Sequence, residues 1–119
     1  MTSEKTKKSL NVTIEFGGIS RSDILIFTKH LSVALKSGFT LIDGLEMLHQ
    51  QAVGKMKRMI GDLMATIQSG QAFFTALQKY PKYFSPIYLN LVRIGEVAGT
   101  LDANLNYLAR QMDKEHELR

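Results

Sequence analysis

The fold this sequence predicts is all-α: six short helices in an antiparallel bundle, preceded by a short extended N-terminal arm. Three observations point to it. From Ser20 onward, apolar residues recur at spacings of three and four, the period of a helix with one buried face. Most of these runs open on a serine or threonine and close on a glycine. The turns between runs are short, which forces consecutive helices to lie antiparallel.

The arm covers residues 1–19. Residues 1–9 are polar and carry Lys5, Lys7 and Lys8. Leu10, Val12, Ile14 and Phe16 then alternate with polar residues, a strand period over a short span, and Gly17-Gly18 ends it. With no second strand to pair with, the segment reads as an extended arm able to add to a neighbouring surface.

The bundle domain covers residues 20–119. Ser20 and Asp23 form a capping box with Asp in place of the usual Glu, and Ile24, Phe27, Leu31 and Ala34 share one face of the first helix. Gly38 stops it as a left-handed glycine does. Thr40 and Asp43 open the second helix, whose stripe is Leu41, Leu45 and Leu48, and Val53-Gly54 breaks it. The third helix turns Met56, Ile60, Leu63 and Ile67 inward, sets Lys57, Arg58 and Asp62 opposite, and ends at Gly70. A short fourth helix runs over about 72–79, until Pro81 prevents continuation. Tyr80, Tyr83 and Phe84 make an aromatic corner. Ser85 caps the fifth helix and Pro86 takes its first turn, where a missing N–H costs nothing. Leu89, Val92 and Val97 are assigned inward, and Gly99 ends it. Thr100 opens the sixth helix, where Leu101, Leu105, Leu108 and Met112 make a narrow seam suited to packing on another helix.

At 119 residues the chain is one domain, long enough to bury a core without staples. The absence of cysteine excludes disulfides and thiolate zinc sites. A net charge of +4 suits nucleic acid, an anionic membrane face or an acidic protein partner, without choosing among them. The longest apolar run, Ile24 to Phe27, is four residues, far short of a membrane span, and the charged start has no apolar stretch after it.

An enzyme needs converging reactive groups. His30, His49 and His116 are far apart in sequence, and no phosphate loop or nucleophile elbow is present. Asp113, Glu115, His116 and Glu117 read as a solvated helix face, since consecutive residues point in different directions. Lys55, Lys57 and Arg58 read as the solvent face of the third helix. A basic nucleic-acid-binding module is the alternative, but aromatic residues do not interleave with these bases. Met56, Met59 and Met64 read as core fillers. The expectation is therefore a non-enzyme with no cofactor, no resident metal and no nucleic-acid partner.

The densest signal is residues 93–101, Arg93-Ile94-Gly95-Glu96-Val97-Ala98-Gly99-Thr100-Leu101. A glycine inside a helix costs about 1 kcal/mol relative to alanine, so Gly95 is expected to let another helix approach closely. Glu96 sits near a helix C-terminus, where the macrodipole opposes a carboxylate, so something must offset it. One reading is a salt bridge to Lys29 or Arg93. The other is a contact carboxylate for a second subunit, a partner protein or a divalent cation. Gly95 and the seam of the sixth helix together lead us to expect a homodimer. Glu96→Lys is expected to abolish function while the domain still folds.

These residues resemble the type II secretion system F family, which includes the platform proteins of type IV pili. The likeness runs over residues 22–119. It takes in Phe27-Thr28-Lys29-His30-Leu31, Leu35, Gly38, Leu41, Gly70, Ala76-Leu77, Pro81, Phe84, residues 95–101, Leu105 and Leu108-Ala109. The resemblance implies a cytoplasmic six-helix domain of an inner-membrane protein, one of two copies separated by a membrane span, with a membrane helix expected beyond Arg119. It implies a role in coupling a hexameric assembly ATPase to the insertion or extraction of pilin-like subunits. Lys29, Gly38, Gly70, Gly95, Glu96, Gly99 and Leu101 carry over as the motif positions. Three departures stand out. Lys29-His30 replaces a common Arg-Gln, Ala72 stands where a Ser or Thr cap is common, and the region before Ser20 is short. The fourth helix is therefore expected to fray at its start.

Overall fold

The structure, a computed structural model, describes residues 18–117. Residues 1–17 of the 1–19 arm, including its alternating stretch at 10–16, lie outside them. Six helices follow in order: α1 (Arg21–Lys36), α2 (Leu41–Gln51), α3 (Gly54–Gln68), α4 (Phe73–Gln78), α5 (Pro86–Ala98) and α6 (Leu101–Glu117). The helix boundaries follow from the caps. Ser20 Oγ accepts the Asp23 amide while the Asp23 carboxylate accepts the Ser20 amide, a complete capping box. Thr40 and Ser85 cap α2 and α5 through the amides three residues on. At the end of α1, the Gly38 amide donates to the Leu35 carbonyl and the Phe39 amide to the Ala34 carbonyl, a Schellman ending with Gly38 at φ +99°. Gly70 ends α3 in the same way.

Each helix packs on the next, and α6 returns to pack along α1, closing the circuit. The α1–α6 pair is antiparallel: Arg21 near the start of α1 meets Glu115 at 3.1 Å near the end of α6, and Ser32 Oγ donates to the Asp102 carbonyl at 3.0 Å. This pair absorbs the α6 seam. Leu105 is fully buried, Leu108 nearly so, and Leu101 and Met112 are half-buried against the same core. The core gathers Phe27, Leu31, Leu45, Ile60, Leu63, Phe73, Leu77, Phe84 and Val92, all essentially solvent-free. Phe84 is buried in it, with ring centroids 6.1 Å from Phe27 and 4.9 Å from Tyr88.

Two inward assignments change. Val97, taken as inward, is 84% exposed, because it lies five residues beyond Val92 and rotates off the buried face, where Tyr88, Val92 and Gly95 lie. On α3, Met59 is buried and Met56 only half-buried, since the stripe Met59, Ile60, Leu63 and Thr66 is the one facing the core. The polar groups inside are paired. Thr28 Oγ1 donates to the Ile24 carbonyl at 2.7 Å, so its single proton is spent and the Tyr88 hydroxyl donates to it, also at 2.7 Å. Burial pushes the Tyr88 hydroxyl well above the usual phenol range. Among the described residues, no helix is long and apolar enough to cross a membrane.

Candidate interaction motif at the junction of α4, α5 and α6

Helix α4 has six residues and begins without help from its own sequence. Ala72 holds the extended backbone of an N-cap, φ −71° and ψ 156°, but has no side chain to accept an amide. A helix this short cannot persist alone. Its exposed first-turn amides need an acceptor, and the positive end of its dipole favours an anion.

Glu96 supplies both. One carboxylate oxygen accepts the Phe73 amide at 2.8 Å and the other accepts the Phe74 amide at 2.9 Å. The carboxylate sits near the negative end of α5 and directly at the positive end of α4, so the second dipole offsets the first. Neither expected salt bridge forms. Lys29 Nζ lies 3.6 Å from Asp113 on the exposed α1–α6 face, and the Arg93 guanidinium donates to Asn90 at 2.6 Å. Backbone amides next to a buried phenylalanine outcompete a solvated side-chain cation, since an exposed ion pair is worth under about 1 kcal/mol.

The other end of α4 is tied to α3. Lys79 Nζ donates to Thr66 Oγ1 at 2.7 Å, and the Tyr80 hydroxyl donates to the Asp62 carboxylate. Burial first, then the hydrogen bond and charge of Asp62, push the Tyr80 hydroxyl up to about 12.

Gly95 makes the turn from α5 to α6 possible. A Cβ at this position would lie 2.9 Å from Leu101 Cα and 3.1 Å from Asn104 Nδ2. The close approach expected from the sequence is therefore real, but the neighbour is α6 of the same chain. Gly99, at φ +77°, reverses the backbone, and the Gly95 carbonyl accepts the amides of Gly99 and Thr100, each at 2.9 Å. Asn104 Nδ2 then donates to the Leu91 carbonyl at 2.8 Å, a tie that sequence reading did not assign. The two features behind the expected homodimer, Gly95 and the α6 seam, are both used within the chain.

Gly95, Glu96, Gly99 and Leu101 thus line one shallow depression, together with Leu35 and Asp102. Lys29, Gly38 and Gly70 are not part of its lining. Gly38 and Gly70 serve as helix ends, and Lys29 as half of an exposed ion pair. The depression brings the Glu96 carboxylate together with Asp102. Both Glu96 oxygens accept amides. Chemically, the arrangement is a clamp that fixes three helices relative to one another. The sequence held two clues to it, a helix lacking its cap and a glutamate facing an unfavourable dipole, each of which resolves the other.

Comparison with known proteins places the sequence in one family. Residues 27–119 match the family described as type II secretion system protein F. The chain is 35% identical over 118 residues to the type IV pilus assembly protein PilC of Myxococcus xanthus, covering 95% of this chain and 28% of that protein. It is 36% identical over 117 residues to the protein of the same name from Thermus thermophilus, covering 94% and 29% respectively. It is 27% identical over 119 residues to the type II secretion system protein F of Xanthomonas campestris, covering 99% of this chain and 29% of the relative. The chain therefore spans under a third of the length of these relatives. With the family match covering most of its residues, the chain belongs to the type II secretion system protein F family.

Proposed function

We propose that this domain is a non-catalytic part of an inner-membrane platform protein in a type IV pilus or type II secretion machine. On this reading it lies on the cytoplasmic face and couples the assembly ATPase to the placing of pilin or pseudopilin subunits. Membrane attachment belongs to the rest of a longer protein. The observation that carries the reading is the family match over residues 27–119, with relatives named for pilus assembly and type II secretion. The motif geometry supports it. A carboxylate held by two amides is a strut rather than an acid or base, and a bundle closed on itself is suited to passing on position or force.

The test is made in the source bacterium. Deleting the whole gene should abolish piliation or secretion, and the purified chain should retain the assembly ATPase of the same machine on an affinity column. Normal piliation and secretion after deletion would refute the reading. Self-association is part of the same proposal, through surface other than Gly95 and the α6 seam. Sedimentation velocity over a concentration series checks it, and a monomer at the highest concentration removes that part.

A further inference from the structure

An apolar groove of about 270 Å³ runs between α1 and the α2–α3 turn. Phe27, Met56 and Ile60 line it, and Ile26 and Val53 stand beside them, each about half exposed, at 48% and 50%. The groove lies at the lower edge of the roughly 300–1,000 Å³ range of small-molecule pockets, and suits a few side chains better than a cofactor. Gly18, the first described residue, is part of its wall. The chain immediately before Gly18 carries the alternating apolar set Leu10, Val12, Ile14 and Phe16.

We propose that this groove is the docking site of the chain's own arm, residues 10–16, bound in cis. Phe16 is two residues from the groove wall, a reach of at most about 7 Å. In an extended segment Val12, Ile14 and Phe16 share one face, while Asn11, Thr13 and Glu15 share the other. Lys55 lines the groove and, among the described residues, has no ion-pair partner, so it offers Glu15 a counter-charge. A wider cleft of about 800 Å³, lined by Ile19 and Ile87, is the competing seat. Its rim cations are already engaged, Arg21 with Glu115 at 3.1 Å and Lys82 over the Tyr83 ring at 5.8 Å. A tether this short gives the arm an effective concentration of millimolar order at the groove, which favours cis docking over capture by a second copy.

The chain contains no tryptophan and no cysteine, which makes the test clean. In the 119-residue chain carrying Phe16→Trp, emission should be blue-shifted relative to the same variant in urea, and independent of protein concentration. Adding Ile26→Glu and Val53→Glu should move it to the unfolded value with helix content unchanged, whereas adding Ile87→Glu should leave it in place. Unfolded-like emission from the folded variant, a shift insensitive to the groove substitutions, or one that grows with concentration would each overturn the proposal. Should Phe16→Trp fail to fold, paired cysteines decide the matter. Ile14→Cys with Val53→Cys should form an intramolecular disulfide, and Ile14→Cys with Ile87→Cys should not. The reverse pattern, or none, overturns it.

Discussion

The Glu96 clamp can be tested by removing it and putting back a local substitute. Glu96→Ala leaves the Phe73 and Phe74 amides without acceptors at the start of a helix whose first residue is fully buried. A hydrogen bond to a charged group contributes about 1.5–3 kcal/mol, and a lost N-cap costs about 0.5–2 kcal/mol. Because Glu96 is half-buried, water replaces part of what is lost. The expected destabilisation is about 2 kcal/mol, or roughly 8 °C in Tm at about 4 °C per kcal/mol for a domain this size. Glu96→Gln keeps one acceptor oxygen and should fall about halfway. Glu96→Lys puts a cation against the positive end of α4 and should be the most destabilising of the three, so its effect on function is to be read beside its measured stability rather than as a contact role alone. Ala72 already has cap dihedrals, and the serine and threonine caps elsewhere in this chain accept the third amide of their helices. Glu96 holds the first two. Ala72→Ser added to Glu96→Ala should therefore recover about 1 kcal/mol by taking the Thr75 amide, a partial rescue. Urea unfolding followed by circular dichroism measures all of these. If Glu96→Ala stays within about 0.5 kcal/mol of the parent, the range of an ordinary surface change, the clamp is not structural.

Other perturbations follow from the same geometry. Gly95→Ala should destabilise by about 1–2 kcal/mol in urea melts, because overpacking against the Leu101 backbone outweighs the helix propensity gained. Thr28→Val orphans the buried Tyr88 hydroxyl and should cost about 1–3 kcal/mol; Tyr88→Phe should cost less, and the double variant should fall short of their sum. The Tyr80 hydroxyl is raised to about 12 from an ordinary 10. The folded chain therefore holds that proton more tightly than the unfolded one, so the stabilisation is full below pH 10 and lost as pH rises from 10 through 12. In Tyr80→Phe, that part of the alkaline loss should disappear from urea midpoints taken between pH 9 and 12.

Most of the fold could be read from local chemistry. Ser20 with Asp23, Thr40, Ser85-Pro86, Gly38, Gly70 and Gly99 each mark a helix end within a few residues of themselves, and the structure places the ends there. The stripe of α1 was legible because Ile24, Phe27, Leu31 and Ala34 keep an unbroken helical period. Val97 was misassigned because it breaks that period. The Glu96 clamp joins residues 22 and 23 positions apart, and no local pattern encodes such a pairing. The same holds for Tyr88 and Thr28, separated by 60 positions, where each residue alone looks like an ordinary helix member.

The anchoring of α4 has a consequence for how the molecule breathes. Besides the buried Phe73, Ala76 and Leu77, its hold on order comes from Glu96 at one end and from Thr66 and Asp62 at the other, all on neighbouring helices. Residues 72–80 should thus be the first stretch to open and exchange amide hydrogens well before the α1–α6 pair does. A protease that finds a way in should enter there, leaving the longer helices still folded behind it.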